Sequence, residues 1–340
     1  MRSAPYKPPF TITEPMIHLV AEISEKIGSI TAWQHMNSNP QLRRDSRILT
    51  IHATLAIENN TLSIEQVTDV INGRHVLGAP REIREVKNAY AAYEQLLTLN
   101  PYSAGDLLKG HEILMAGLVE DAGHFRSGGV GVFKGNRVVH IAPPADLVQE
   151  QISSLLHWAE TTDSHPLIKS SVFHYEFEFI HPFADGNGRM GRMWNTLLLA
   201  QWKPIFAWIP IETIIRERQE SYYSALGVAD STGTATPFIE FLLQAILDTL
   251  KLIEKDQRPT QAIEPKLRLL LDKMGNEALS GAEIMRRMGL KNRPSFLTGY
   301  LHPALEQGLI EMTMPDKPSS KNQTYRRRTS NKSGCEKAFI

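Results

Sequence analysis

"HPFADGNGRMGR", residues 181–192, packs one histidine, one aspartate, three glycines and two arginines into twelve positions. Two apolar runs flank it: "SSVFHYEFEFI" leads in and "GRMGRMWNTLLLAQW" leads out, both reading as buried helices. The polar residues therefore sit at a break between two core helices. A helix N-terminus leaves backbone N–H groups without partners and carries partial positive charge. Gly186 and Gly188 let an anion approach that backbone closely. Arg189 and Arg192 are three apart, so they share a face of the second helix, and guanidinium forks suit phosphate oxygens. Asp185 is a hard oxygen ligand suited to Mg²⁺ bridging phosphates. His181 titrates near neutrality and could accept a proton from a hydroxyl nucleophile. Together the parts point to magnesium-assisted transfer from a nucleotide to an alcohol. "DGNG" alone is a common turn; only the full string carries this chemistry.

Working outward, helical periodicity dominates. "EPMIHLVAEISEKIGSI", "SRILTIHATLAIE", "EIREVKNAYAAYEQLL", "DLVQEQISSLLHWAE" and "FIEFLLQAILDTLKLIEK" all read as helices, with Ile48, Ile51 and Leu55 on one face of the second. The strand signal is confined to "GGVGVFKGNRVVHIAPP", where Val130–Phe133 and Arg137–Ile141 flank a Lys-Gly-Asn turn and predict a hairpin. Polar "EKDQRPTQAIEPK" predicts a linker. Beyond it, two short helices, "GLIEMTM", a polar turn and "QTYRRR" predict a winged helix-turn-helix.

The chain of 340 residues is 42% apolar, which supports a large core and excludes disorder as the default. Lys plus Arg and Asp plus Glu number 37 each, yet the charge is uneven: Ala282–Ile340 holds eleven basic and five acidic residues. A basic end on an acidic body is a weak pointer to nucleic acid or an acidic protein surface. The one cysteine, Cys335, allows no intrachain disulfide and fits a reducing compartment. The proline-rich N-terminus lacks a signal-peptide core, and no run reaches ~18 apolar residues. The expectation is a soluble cytoplasmic protein.

"HPFADGNGRMGR" resembles the Fic motif, H-P-F-x-D-G-N-G-R-x-x-R, with every specified position filled. "HYEFEFI" looks like the helix leading into the Fic loop, and the hairpin like the flap that docks the target segment. The resemblance implies a mainly α fold: a Fic-type helical bundle with a β-hairpin flap, followed by a small winged helix-turn-helix domain. The expected divisions are 1–100 (N-terminal helical region with an inhibitory helix), 101–255 (catalytic), 256–264 (linker), 265–330 (winged helix) and 331–340 (tail). It further implies transfer of AMP from ATP to Ser, Thr or Tyr hydroxyls of proteins, releasing pyrophosphate. His181 would be the general base and Asp185 the Mg²⁺ ligand. The amides of Gly186, Asn187 and Gly188 would form the anion nest, Gly191 would belong to the same nucleotide-binding set, and Arg189 and Arg192 would bind the outer phosphates. Phe183 reads as a buried anchor and Pro182 as a backbone constraint. Doc-type kinases carry lysine where this chain has Gly188, which favours AMP transfer over phosphorylation, while phosphocholine or UMP transfer stays open on this scaffold.

"TLAIEN", residues 54–59, resembles the inhibitory motif [S/T]-x-x-x-E-[G/N] of Fic proteins. Thr54 and Glu58 are four apart and are expected on one helical face. By the resemblance, Glu58 pairs with Arg192 and takes the fork meant for the γ-phosphate, so the protein would inhibit itself. The same glutamate could instead orient water for removal of AMP.

Tyr222 and Tyr223 stand where relatives contact adenine, with a buried core role the alternative for one of them. Asp230 replaces an asparagine found in some relatives. His174 reads as a core residue, His140 as an exposed strand residue. Tyr325–Arg328 could contact phosphates. The competing function is a nucleotide-sensing DNA-binding regulator that acts through the winged helix. His181 with Asp185 argues against it, since a sensor needs neither base nor metal ligand. Its best recognition helix, "RPSFLTGYLHPALEQG", carries only Arg293 as a firm cation. Target recruitment or homodimerisation is the favoured role for that module. A toxin with a separate antitoxin is made unnecessary by a glutamate in cis.

Overall fold

The computed structural model describes residues 6–29, 40–134, 137–257, 265–275, 277–290, 292–306, 309–315, 320 and 322–327. Within these the chain is mainly helical and divides into two compact units, Met1–Lys255 and Asp256–Ile340. Among the described residues, no helix is long and apolar enough to cross a membrane.

The first unit is built from helices α1 (Glu14–Ser29), α2 (Pro40–Ile57), α3 (Ile64–Ile71), α4 (Pro80–Glu94), α5 (Ala104–Met115), α6 (Val148–Thr161), α7 (Pro166–Ile180), α8 (Asn187–Trp202), α9 (Ile211–Glu217), α10 (Gln219–Thr232) and α11 (Thr236–Gln257). Local signals set several starts. Ser63 and Gln66 cap α3 reciprocally, Ser103 accepts from the Asp106 N–H at the head of α5, and proline opens α4 and α7. Helices α7 and α8 are packed against each other at the centre and are buried on nearly every side. That explains their near-continuous apolar sequence. Phe173, Phe177, Phe183, Trp194 and Phe238 are fully buried around them. Gly110 lets α5 come against this layer, since a Cβ there would press on Met193 and Trp194. The predicted hairpin is present: β1 (Gly131–Lys134) pairs antiparallel with β2 (Arg137–Ile141), with an irregularity between Val132 and Phe133. Gly135 and Asn136 of its turn lie outside the described residues, as does the His140 side chain.

The second unit has its own core of Leu267, Leu270, Met274, Ile284, Phe296, Leu301 and Ile310. Helices α12 (Pro265–Met274), α13 (Gly281–Arg287), α14 (Arg293–Phe296) and α15 (His302–Glu306) accompany a sheet of order β3-β5-β4. Strand β4 (Ile310–Met312) pairs antiparallel with β5 (Thr324–Arg327), which also pairs with β3 (Leu279–Ser280). The sequence pattern predicts two strands here. The third is two residues long, too short to carry an alternating signal. The proposed recognition segment is likewise not one regular α-helix, because residues Leu297–Leu301 form a π-type turn between α14 and α15. Most of the expected linker, residues 258–264, lies outside the described residues, as do Arg328, Cys335 and the tail.

Candidate active site

The site grows from the junction of α7 and α8. His181 ends α7 in the left-handed region, φ 50° and ψ 61°, with its N–H still donating to Phe177 O. For a residue with a side chain this conformation costs of order 1–3 kcal/mol and needs support from its surroundings. Arg126 supplies that support. Its Nε donates to His181 O at 2.8 Å, its Nη2 to Ile180 O at 3.3 Å, and its backbone N–H to Pro182 O at 2.9 Å. The same guanidinium donates to Gly128 O and Pro143 O, on either side of the hairpin. One buried side chain thus clamps the histidine turn to both feet of the flap. Sequence reasoning missed Arg126; the only cue was its place just before "SGG" at the hairpin's entry.

The His181 ring places Nδ1 3.3 Å from Glu178 O. A carbonyl only accepts, so Nδ1 carries a proton, and in the neutral ring Nε2 holds the lone pair.

Gly186 starts α8 at φ 86°, and a Cβ there would collide with Met115. Asn187 turns its side chain back on the loop: Oδ1 accepts from Phe183 N at 2.9 Å and Nδ2 donates to Phe183 O at 2.8 Å. Phe183 is fully buried, stacked on the His111 ring at 3.6 Å between centroids. His111 Nδ1 accepts from Gly123 N, which leaves Nε2–H to donate to Asp185 O at 3.0 Å. Burial holds the His111 pKa below its usual value, consistent with this neutral tautomer. His111 was another residue the sequence did not single out.

Asp185 is partly exposed. Its Oδ1 accepts from Gly186 N at 2.6 Å and meets Arg189 Nη2 at 3.0 Å, and its Oδ2 meets Arg81 Nη2 at 3.2 Å. Arg189 also reaches Glu85 at 3.4 Å. Mg²⁺ is commonly held by one or two carboxylates plus substrate phosphates. A lone, partly exposed aspartate beside a helix N-terminus fits that pattern, with Arg81 the neighbour that must yield. Among the described residues no group of three or more potential metal ligands gathers, so phosphates would have to complete the shell.

Arg192 is buried and engaged through Nε and Nη2. Its Nε donates to Thr54 Oγ1 at 2.8 Å, and its Nη2 to Thr54 O at 3.1 Å and to Glu58 Oε1 at 2.6 Å. Burial, the largest single effect, would lower its pKa, but the Glu58 charge and hydrogen bond together with neighbouring Tyr222 and Glu178 raise it. Glu58 lies one residue beyond α2, not within its helical face as expected. The chain tightens there, with Glu58 N donating to Leu55 O and Asn59 at φ 66°. A carboxylate oxygen of Glu58 occupies the space a Cβ on Gly188 would need. The anion-favouring start of α8 therefore already faces an anion from the same chain. Gly191 serves the packing of α8 instead, because a Cβ there would run into Glu178 and His174 on α7.

The two adjacent tyrosines part company. Tyr222 is 1% exposed, packs on Phe238, and meets His174 Nε2 through its hydroxyl at 3.2 Å. It offers no surface to a base, because α10 turns it into the core. Tyr223 is 45% exposed. Asp230 accepts from the Tyr175 hydroxyl at 3.1 Å.

In the second unit, Arg286 pairs with Glu283 at 2.7 Å, Arg287 with Glu277 at 2.7 Å and Arg326 with Glu311 at 2.6 Å.

Comparison with known proteins follows the same lines. The Fic/DOC family model matches residues 101–199, and the C-terminal domain of "filamentation induced by cAMP protein Fic-like" matches residues 265–327. A crystal structure of a Fic family protein from Desulfovibrio desulfuricans G20 is 52% identical, covering 95% of this chain and 98% of that one, with a TM-score of 0.74. The protein adenylyltransferase fic-1 of Caenorhabditis elegans is 26% identical over 246 residues, covering 68% of this chain and 45% of its own length. The protein adenylyltransferase Fic of Drosophila mojavensis is 26% identical over 254 residues, covering 68% and 46%. The chain thus spans less than half the length of these curated relatives.

Proposed function

Because the chain belongs to the Fic family, we propose that it transfers AMP from ATP to hydroxyl groups of proteins, itself included, and that Glu58 restrains it. The observation that carries the reading is the pairing of Glu58 and Thr54 with Arg192 at the start of α8. It joins an anion-binding turn to an internal anion that competes for it.

In the reaction, His181 Nε2 takes the proton of a Ser, Thr or Tyr hydroxyl. The hydroxyl oxygen bonds to the α-phosphorus, the bond from that phosphorus to the bridging oxygen breaks, and pyrophosphate leaves with the electron pair. The amides at Asn187 and Gly188 face the phosphates, while that of Gly186 is taken by Asp185 Oδ1, and Arg189 and Arg192 are the cationic partners. Asp185 would hold Mg²⁺, which supplies neutralisation of phosphate charge. Asn187 holds the loop through Phe183, Gly191 allows α8 to lie close on α7, and Tyr223 is the tyrosine left to meet adenine. With Glu58 on Arg192, a γ-phosphate has no free fork there, and the α-phosphate is not presented to His181. The names of the relatives, protein adenylyltransferases, support AMP as the group transferred. The ion pairs of Arg286, Arg287 and Arg326 favour a protein contact over nucleic acid for the second unit.

The test is intact-mass spectrometry of Glu58→Gly after incubation with ATP and Mg²⁺, beside the same variant carrying His181→Ala. Addition of AMP in the first alone is expected. Equal labelling of both would remove His181 as the base, and labelling of neither would remove the activity.

A further inference from the structure

A second basic site lies in the first unit, away from the turn just described. The first turns of α2 form a cleft of about 350 Å³, lined by Arg43, Arg44, Arg47, Tyr90, Glu94 and Trp208. That volume is at the small end of the range for small-molecule sites. Arg47 is only 3% exposed. The faces of its guanidinium are used by aromatic rings, with Tyr93 at 5.0 Å and Trp208 at 4.7 Å. Its edge is not used: Nε and Nη1 are buried and have no hydrogen-bond partner among the described residues. Buried donors are almost always satisfied by protein, water or ligand. Arg43 also stands over the Trp208 ring, at 5.3 Å, and Arg44 is steadied by Asn72.

We infer that this cleft is a second anion-binding site that takes the phosphate group of a small phosphomonoester. Three guanidinium groups face one carboxylate, Glu94, among the lining residues, so the lining carries a surplus of two positive charges. A phosphomonoester dianion matches that surplus, where a carboxylate ligand would cancel half of it. Glu212, an acid behind the cleft, accepts from the Tyr93 hydroxyl at 3.4 Å, and burial pushes its pKa up to about 7. Below that pH it is mostly neutral and does little to offset the arginines. Planar guanidinium groups with free in-plane N–H donors recognise tetrahedral phosphate oxygens well. The Trp208 ring already carries two guanidinium groups, so recognition here rests on charge and donors more than on ring stacking. The inference does not depend on the activity proposed above.

Trp208 makes the site observable. Full-length protein is titrated with inorganic phosphate and with glycerol phosphate at constant ionic strength, following tryptophan fluorescence. A saturable change is expected in the wild type, absent in Trp208→Phe, and shifted at least tenfold to higher concentration in Arg43→Met and Arg47→Met. Arg43 is only half-buried, so Arg43→Met keeps the test decisive should Arg47→Met melt early. Both variants leave Gly186–Arg192 intact, which separates this site from phosphate binding there. Tighter binding of glycerol phosphate supports the ester; binding of inorganic phosphate alone would overturn the ester assignment. No saturable change, or one that survives Arg43→Met unshifted, would overturn the site.

Discussion

Glu58 Oε1 and Arg192 Nη2 lie 2.6 Å apart across 134 residues of chain, with the guanidinium almost wholly buried and the carboxylate a third exposed. The asymmetry matters. Glu58 can leave for solvent at modest cost, whereas Arg192 cannot leave and needs an anion beside it. A phosphate is the natural replacement.

Removing the carboxylate should therefore free the site. Glu58→Gly is expected to raise AMP incorporation at least tenfold, measured with ATP labelled at the α-phosphate. It should also lower stability by about 1–3 kcal/mol, because Arg192 is left with Thr54 alone. Unchanged incorporation with a lowered melting temperature would make the pair purely structural.

Gly188 must stay bare. A Cβ there meets the Glu58 carboxylate; in the proposed reaction it would meet the phosphate taking that place. Adding Gly188→Ala to Glu58→Gly should weaken ATP binding by roughly tenfold or more, on the scale of one lost charge-assisted hydrogen bond. Calorimetric titration with ATP checks this, and equal affinity in the two proteins would rule out close approach at Gly188.

In the proposed reaction Arg126 would act through His181, since it holds backbone carbonyls and touches no reacting atom. Arg126→Met is expected to cut kcat by about 10–100-fold in the Glu58→Gly background, the scale of a misplacement near 1 Å. KM for ATP should move little. Arg126→Lys should restore part of the loss, because an ammonium can serve one or two of those carbonyls. A matching rise in KM would point to a general loosening of the loop instead.

Glu212 makes stability depend on pH. In the folded protein burial pushes its pKa from 4.5 to about 7. The native state then binds more protons than the unfolded one between those values, so stability falls as pH rises through that window and levels off above it. The full effect is roughly 3 kcal/mol. Its Oε1 accepts from the Tyr93 and Thr196 hydroxyls, a role an amide oxygen can keep. Glu212→Gln should be the more stable protein at pH 8 by urea denaturation and lose that advantage at pH 4.5. An identical pH slope for both proteins would contradict the assignment.

Much of this site was legible as text because its parts are local. The break between two apolar helices, the glycines at the helix start, the three-residue spacing of Arg189 and Arg192, and a hairpin bounded by glycine and proline all depend on neighbours within one or two turns. The Thr54 and Glu58 pattern was readable too, although the chain places Glu58 in the tightened turn after α2 and not on the helix itself.

What the sequence determined by itself was therefore the inventory of local conformations and the chemistry each could expose. Tertiary structure decided which of those groups meet. Tyr222 and Tyr223 are identical in type and adjacent, yet packing against His174 and Phe238 buries one and leaves the other 45% exposed. Arg126 and Arg47 look like ordinary surface arginines in the text. Their roles come chiefly from carbonyls and rings contributed by residues as far as 161 positions away. The physical reason is that burial and hydrogen-bond partnership belong to pairs of surfaces. Only once α2, α7 and α8 are packed does the chain show which guanidinium groups are satisfied and which still lack an anion.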